Sequence, residues 1–213
     1  DIVYNSNIEK EIQTTENNLN DTNYNLDKVN REINSVFAEI KVLDTKRKNI
    51  LDIGTGSGCI LISILLERHK CRGTGVDISK SAINVAKSNA KIQQVENRVR
   101  FINSDIDKFS IGKYDLIISN PPYIKKTNLK YLERDVAKFE PKLALDGGLD
   151  GLSAIRKVIK KSSELIKKNG KFVLEIGFDQ KNKVVSLLKK EGFYINSINK
   201  DLANNDRCIV CTK

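Results

Sequence analysis

The strongest constraint on the fold is the glycine-rich run Asp52-Ile-Gly-Thr-Gly-Ser-Gly58, which follows a short apolar segment and precedes an apolar helical pattern. Three glycines at alternate positions let the backbone turn sharply and leave no Cβ in the way of a ligand. A loop of this kind between a strand and a helix is typical of α/β sheets. Its G-x-G-x-G spacing differs from the G-x-G-x-x-G of dinucleotide sites, and no Lys followed by Ser or Thr marks a phosphate-binding loop.

From Asn49 onward, strand patterns alternate with helical patterns. This alternation predicts a doubly wound, mostly parallel sheet of seven strands with helices on both faces, a Rossmann-like α/β fold. The predicted strands are Ile50–Ile53, Thr74–Asp77, Val99–Ile102, Tyr114–Ser119, Lys171–Ile176, Phe193–Ile198 and Arg207–Thr212, the last two as an antiparallel pair. The predicted helices are about Ile60–Arg68, Lys80–Gln93, Leu152–Lys168 and Gln180–Lys190. Ligands of such sheets bind at the carboxyl ends of the strands.

Residues 1–48 form a separate segment that is rich in Asn and contains neither Gly nor Pro. Apolar residues recur there at heptad spacing, which predicts helix. One set is Ile12, Leu19, Leu26, Ile33 and Ile40, and the other is Ile8, Thr15, Thr22, Val29, Val36 and Leu43. Threonines in the seam and the Asn-rich stretch 17–25 weaken a continuous helix. Two interpretations stay open: a long coiled coil that makes an oligomer, or two helices that pack on the catalytic domain or on a partner.

The positive charge is concentrated in the second part of the chain. Residues 1–49 carry a net charge of −2 and residues 50–213 one of +12. A basic domain suits an acidic or nucleic-acid-associated partner, but solvated lysine-rich helix faces produce the same excess, so direct nucleic-acid binding is allowed and not required. The longest apolar run, Cys59–Leu66, is far shorter than the roughly 20 residues that cross a bilayer. No signal peptide opens the chain, and we expect a cytoplasmic protein without a membrane partner.

Neither the cysteines nor the histidine indicates a metal site. Cys208 and Cys211 form a C-x-x-C in a strand pattern, where positions three apart face opposite ways. No second pair or histidine cluster supplies further ligands, so we expect no metal and buried free thiols. His69 ends an apolar helix pattern, and we expect it at a helix end on the surface.

Asp77 ends the second predicted strand, about 20 residues after the glycine loop. A carboxylate at this place can accept hydrogen bonds from both hydroxyls of a ribose. S-adenosylmethionine combines an adenosine with a sulfonium and an amino acid and has no phosphate, so it fits this combination of loop and carboxylate. We predict that the cofactor is held by Asp77 and by the loop residues Gly54, Thr55, Gly56, Ser57 and Gly58.

The tetrapeptide Asn120-Pro121-Pro122-Tyr123 follows the fourth predicted strand, at the same sheet edge as the glycine loop. An amide nitrogen is a poor nucleophile because its lone pair is delocalised, and its two N–H groups need two acceptors that fix its direction. The Asn120 side-chain oxygen and the Pro121 carbonyl can supply them, the prolines stiffen the loop, and Tyr123 can pack on the planar group. We predict Asn120, Pro121 and Tyr123 as catalytic residues in a substrate-binding loop that includes Pro122. Positioning and electrostatics would then provide most of the rate.

Together these motifs resemble the peptide-chain release-factor glutamine methyltransferases, a family often called HemK. The resemblance extends from about Asn49 to Thr212. Its blocks are LDIGTGSGCI at 51–60, GVDIS at 75–79, DLIISNPPYI at 115–124, FEPKLALDGGLDGL at 139–152, LEIG at 174–177 and DLANNDR at 201–207. The Asn-Pro-Pro-Tyr run is shared with adenine methyltransferases, whereas the blocks at 139–152 and 201–207 are more particular to the glutamine enzymes.

The resemblance implies methyl transfer from S-adenosylmethionine to N5 of the glutamine in the Gly-Gly-Gln motif of release factors, with S-adenosylhomocysteine as product. It implies that Asp105 and Ile106 flank the adenine and that Asn120 serves both cofactor and acceptor. It also implies structural or loop-ordering roles near the site for Glu140, Asp150 and Glu175.

The chain departs from the family pattern before the first strand. Residues 1–49 contain no proline, so the Pro-Arg-Pro segment usual in the family is absent there. Two alternatives to the glutamine enzyme stay open. One is an N6-adenine methyltransferase acting on nucleic acid, although no segment large enough for a base-recognition domain follows the motifs. The other is a non-catalytic assembly protein in which the N-terminal helix oligomerises the chain and the core only senses cofactor.

Overall fold

The computed structural model describes residues 47–127 and 147–213. The heptad-patterned segment lies almost entirely outside the described residues, and so do Glu140 and most of the 139–152 block. The predictions made for those residues, including the domain boundary after residue 48, therefore stay predictions.

Within the described residues, seven strands form one sheet in the order β3-β2-β1-β4-β5-β7-β6. The strands are β1 (Asn49–Ile53), β2 (Arg72–Asp77), β3 (Val99–Asn103), β4 (Tyr114–Ser119), β5 (Ile166–Glu175), β6 (Tyr194–Lys200) and β7 (Asp206–Thr212). The five strands β3-β2-β1-β4-β5 are parallel to one another, whereas β7 is antiparallel to both of its neighbours, β5 and β6. The predicted mostly parallel sheet with its closing antiparallel pair is confirmed.

Four α-helices connect the described strands: α1 (Cys59–Glu67), α2 (Lys80–Ile92), α3 (Ser153–Leu165) and α4 (Lys181–Lys190). The hydroxyl of Ser79 caps α2 by accepting a hydrogen bond from the Ala82 N–H at 3.2 Å. This satisfies one of the amides that the first turn of a helix leaves without a partner. Among the helices of residues 47–127 and 147–213, none has the length and apolar character that a membrane crossing requires.

The boundary between α3 and β5 differs from the prediction. The helix was expected to reach Lys168, but it ends at Leu165, and Ile166 already pairs with Tyr114 of β4. Regular pairing resumes only at Lys171, after a bulge in which Asn169 adopts a left-handed conformation with φ of 63°. The helix ends because the backbone of Ile166 is already extended, with φ of −77° and ψ of 144°, and the left-handed Asn169 interrupts only the pairing within β5.

Helices cover both faces of the sheet, which explains why the central strands are continuously apolar. Leu51 and Ile53 of β1 belong to one buried cluster with Ile159 of α3 and Leu188 of α4. On the opposite face, a Cβ built on Gly73 of β2 would lie 2.9 Å from a methyl carbon of Leu61 in α1. Strands that are buried on both faces lose the alternation of apolar and polar residues and become apolar runs.

This topology brings the loops that carry the motifs to one edge of the sheet. The first five strands are parallel, so their carboxyl ends share that edge. Strand β7 is antiparallel to β5, with Glu175 paired to Cys208, so the turn between β6 and β7 lies at the same edge. The glycine loop, Asp77, the Asn-Pro-Pro-Tyr run and the DLANNDR block are therefore neighbours in the fold although they are far apart in the sequence.

The core predicts a large difference between two isoleucine-to-alanine substitutions. Ile117 in β4 is fully buried, whereas Ile92 at the end of α2 is 69% exposed. We expect Ile117→Ala to lower the free energy of unfolding by about 2–5 kcal/mol, because it leaves a cavity in the central strand. Ile92→Ala should change it by less than about 0.5 kcal/mol. Urea denaturation of the two variants checks this, and equal effects would show that β4 is not in the core.

Candidate functional site

The glycine loop is anchored to the end of β2. The N–H groups of Gly54 and Thr55 both donate to the Val76 carbonyl, at 2.8 and 3.1 Å. Gly54 and Gly56 have φ angles of 73° and 55°, which residues other than glycine rarely adopt. A Cβ built on either residue meets no atom within 4 Å, so the space beside the loop is open to a ligand.

Gly58 has a different task from the first two glycines. A Cβ at this position would lie 3.1 Å from Ile62 and from Phe101 and 3.2 Å from Ala86. Glycine therefore lets the start of α1 approach α2 and β3 closely. Next to it, the amide group of Asn89 donates to the Ser57 carbonyl at 3.0 Å, so α2 also holds the loop.

The carboxylate of Asp77 is held by two backbone amides. One oxygen accepts from the Gly56 N–H at 2.9 Å and the other from the Ser79 N–H at 2.8 Å. The Asn103 amide group fixes the same turn by donating to the carbonyls of Asp77 and Ile78. Each carboxylate oxygen keeps lone pairs for another donor, so Asp77 can bind a ligand diol without first being reoriented.

Asp52 is buried beneath the loop, and the sequence interpretation gave it no role of its own. The Thr55 hydroxyl donates to its carboxylate at 2.7 Å, and Asp52 is only 2% exposed. Burial raises the pKa of Asp52 to about 7; the Thr55 hydrogen bond opposes this rise and the nearby Asp77 charge adds to it. In the sequence, Asp52 is recognisable as the aspartate that begins the D-x-G-x-G-x-G pattern of the loop.

Asp105 and Ile106 follow β3 at the same edge. The Ser104 N–H donates to the Asp77 carbonyl at 3.0 Å, which places the two residues directly after a contact with Asp77. The Asp105 carboxylate accepts from the Asp107 N–H at 3.0 Å and caps a short 3-10 helix, while Ile106 packs partly buried against the core.

The Asn-Pro-Pro-Tyr loop leaves the sheet beside the glycine loop. Ile53 and Ser119, the last residues of β1 and β4, are paired, and the Ser119 hydroxyl donates to the Ile53 carbonyl at 2.7 Å. Gly54 and Asn120 therefore start from adjacent strand ends. This is the point where the strand order reverses, the usual ligand site of an open α/β sheet. Asn120 is exposed and Pro121 is buried.

Tyr123 is held at three points. Its hydroxyl donates to the Glu175 carboxylate at 3.3 Å, and the Arg207 guanidinium lies 5.9 Å from the centroid of its ring. Its carbonyl accepts from the side-chain amide of Gln180 at 3.0 Å. Arg207 is itself fixed by the Asp201 carboxylate, at 3.0 Å. The sequence motifs did not include Gln180 among the site residues. The one indication in the sequence is that Gln180 follows Glu175 of the LEIG block by five residues.

A family model described as a methyltransferase domain matches residues 44–209, which is most of the chain. The chain belongs to this methyltransferase-domain family. The solved methyltransferase from Pyrococcus furiosus has the same fold, with a TM-score of 0.62 at 20% identity over 85% of this chain and 82% of that one.

Three named relatives are more similar in sequence. The release factor glutamine methyltransferase of Rhodospirillum rubrum is 39% identical over 84% of this chain and 55% of its own length. The enzyme of the same name from Fusobacterium nucleatum is 40% identical over 80% of this chain and 48% of its own. A bifunctional methyltransferase of Rickettsia prowazekii is 40% identical over 85% of this chain and 36% of its own. The chain thus spans about half the length of the first two relatives.

Asp150 orders the turn before α3: it accepts from the Leu152 N–H at 3.0 Å and pairs with Arg156, which holds the pKa of Asp150 at about 2. Cys208 and Cys211 are buried and form no disulfide, as predicted, and burial raises the pKa of Cys211 to about 12. Across residues 47–127 and 147–213, no cluster of three or more His, Cys, Asp or Glu side chains could hold a metal ion.

The burial of Asp52 predicts a pH-dependent stability. Its pKa is raised from 3.8 to about 7, so the fold favours the neutral form. The contribution of Asp52 to stability is complete below pH 4 and is lost as the pH rises to about 7. Asp52→Asn stays neutral, so its free energy of unfolding should rise relative to that of wild type between pH 4 and 7, by at most about 4 kcal/mol.

Urea denaturation at pH 5 and pH 8 measures this difference. Asp179→Asn, which changes an exposed carboxylate of the same type, serves as the matched control and should show no comparable trend. A difference between Asp52→Asn and wild type that is constant with pH would show that Asp52 does not bury its charge.

Proposed function

We propose that this protein transfers a methyl group from S-adenosylmethionine to N5 of a glutamine side chain, and that this glutamine lies in the Gly-Gly-Gln motif of a peptide-chain release factor. The observation that carries the proposal is the pairing of β1 with β4, from which the glycine loop and the Asn-Pro-Pro-Tyr loop leave side by side. The Rhodospirillum rubrum and Fusobacterium nucleatum relatives, both named release factor glutamine methyltransferases, support the choice of substrate.

The residues at the carboxyl edge fit the cofactor. The open side of Gly54 and Gly56 would accommodate its amino-acid part without a Cβ in the way. The Asp77 carboxylate, already oriented by two amides, would accept the ribose hydroxyls, while Asp105 and Ile106 would flank the adenine. When bound, S-adenosylmethionine supplies a methyl group activated by positively charged sulfur. The domain therefore has only to hold donor and acceptor in line.

The acceptor amide would be held by two oxygens of the Asn-Pro-Pro-Tyr loop. The Asn120 side chain is exposed, so its oxygen can accept from one N–H of the glutamine amide. The Pro121 carbonyl would accept the other, and the Tyr123 ring would pack on the amide plane. Pro121 and Pro122 keep the turn stiff because their φ angles are restricted. Fixing both N–H groups points the nitrogen at the methyl carbon, and the nitrogen can lose its proton to water afterwards.

We further propose that the two segments of the chain have different functions. Residues 49–213 form the catalytic domain, and the helical segment 1–48 contributes to docking or to oligomer formation. The partner is the release factor itself, in the cytoplasm, and the basic surface of the domain makes contact with nucleic acid an accessory feature that catalysis does not need.

The reaction is tested by incubating the protein with labelled S-adenosylmethionine and a purified release factor. A second release factor, in which the Gly-Gly-Gln glutamine is replaced by alanine, is the matched substrate control. Label on the wild-type substrate alone supports both the reaction and the site. Label on DNA or RNA and none on release factor would favour the adenine reaction, and cofactor binding without any transfer would favour a non-catalytic role.

Asn120→Ala should separate binding from chemistry. Removing one positioned acceptor costs about a hundredfold or more in kcat, whereas the glycine loop and Asp77, which provide most of the predicted cofactor contacts, remain in place. We expect the Kd for S-adenosylmethionine, measured by calorimetry, to change by less than about threefold.

Two further variants serve as controls for this result. Asn196→Ala makes the same substitution on the edge strand β6, where Asn196 contacts Lys171 and Thr212, and should retain wild-type turnover. Asp77→Ala should instead abolish cofactor binding. Wild-type turnover in Asn120→Ala would remove the role assigned to Asn120.

A further inference from the structure

Gln180, the residue just before α4, has a buried side chain whose hydrogen-bonding groups are all used. It is 3% exposed. Its amide nitrogen donates to the carbonyls of Tyr123 and Gly151, each at 3.0 Å, and its amide oxygen accepts from the Gly177 N–H at 2.9 Å. One side chain therefore joins the acceptor loop, the turn before α3 and the turn after β5.

The backbone around this amide is packed too closely to move freely. A Cβ built on Gly151 would lie 2.6 Å from the Tyr123 carbonyl oxygen and 2.8 Å from the Gln180 nitrogen. A Cβ on Gly147 would lie 2.9 Å from the Tyr123 carbonyl carbon. At either position a side chain would force Tyr123 or its neighbours Gly151 and Gln180 to shift. The close contact between the two loops and the bridging amide thus define one position for the Tyr123 main chain.

The ring of Tyr123 is fixed by a different set of groups. Arg207 lies over the ring, donates to the Ile176 carbonyl at 3.2 Å and is clamped by Asp201, while Glu175 accepts from the hydroxyl. These residues come from the LEIG and DLANNDR blocks, to which the cofactor and acceptor assignments gave no task. Both blocks contact Tyr123, the first through Glu175 and the second through Arg207.

We propose that Gln180 is a positioning residue for the acceptor amide. By holding the Tyr123 carbonyl, it sets the direction in which the preceding Asn120 and Pro121 present their oxygens. This inference rests on the proposed function, because it takes the Asn-Pro-Pro-Tyr loop as the acceptor site. Gln180 makes no hydrogen bond to the glycine loop or to Asp77, so its loss should affect the acceptor and leave the cofactor site intact.

The substitution Gln180→Glu isolates the donor function. Glutamate keeps an oxygen that can accept from Gly177, but it places a second oxygen against the carbonyls of Tyr123 and Gly151, which then repel it. Gln180→Ala removes all three bonds. Asp179→Ala, which breaks only the exposed ion pair with Lys125 in the same turn, is the matched control.

The kinetic measurement compares kcat/KM for release factor with the Kd for S-adenosylmethionine in each variant. We expect kcat/KM to fall about tenfold to a hundredfold in both Gln180 variants, the scale of a misplaced reacting group, with the cofactor Kd within about twofold of wild type. Asp179→Ala should match wild type in both. Unchanged kcat/KM, a parallel loss of cofactor binding, or failure of both Gln180 variants to fold would overturn the proposal in favour of a purely structural residue.

Hydrogen exchange gives a readout that does not need turnover. In Gln180→Glu the amides of Tyr123, Ile124 and Lys126 should exchange faster, while those of Gly54–Gly58 keep the wild-type rate. If wild-type protein transfers no methyl to release factor, the proposed function fails, and exchange still shows whether Gln180 holds the loop. Equal exchange of the loop in variant and wild type would refute the positioning role even if the wild-type enzyme is active.

Discussion

The pairing of β1 with β4 is the interaction on which the site depends. These two strands are neighbours in the sheet although they are about 65 residues apart in the sequence, and their last residues are joined by the buried hydrogen bond from Ser119 to the Ile53 carbonyl. Because the strands are parallel and in register, the loops that follow them must start side by side. The loops proposed to bind donor and acceptor are thereby set next to each other by the sheet, before any side chain of either loop takes part.

The loops themselves contain features that cost stability. The glycine loop uses positive φ angles, and beneath it burial raises the pKa of the Asp52 carboxyl to about 7, with a smaller contribution from the Asp77 charge. Such features are maintained only where the surrounding structure determines them. Here the two amides on Asp77 and the hydroxyl on Asp52 hold the loop open. The open space beside Gly54 and Gly56 is consistent with a preformed cofactor site.

Much of this arrangement could be predicted from the sequence, because it depends on residues that directly follow a strand. Gly54, Asp77 and Asn120 each come at a strand end, and parallel strands bring such ends together. Gln180 could not be predicted in the same way, since its partner Tyr123 is 57 residues away and no local pattern distinguishes a bridging glutamine from a helix-start residue. The early end of α3 was missed because the apolar Ile166 continues the helical periodicity although its backbone is already extended.

In the mechanism that we propose, one sheet edge binds the methyl donor and presents a glutamine amide to it. A crystal structure of the protein with S-adenosylhomocysteine and a release-factor fragment that carries the Gly-Gly-Gln loop tests this most directly. We predict the ribose on Asp77 and the glutamine amide nitrogen within hydrogen-bonding distance of both the Asn120 side-chain oxygen and the Pro121 carbonyl. A cofactor bound away from the Gly54–Gly58 loop, or a glutamine that does not reach Asn120, would contradict the account.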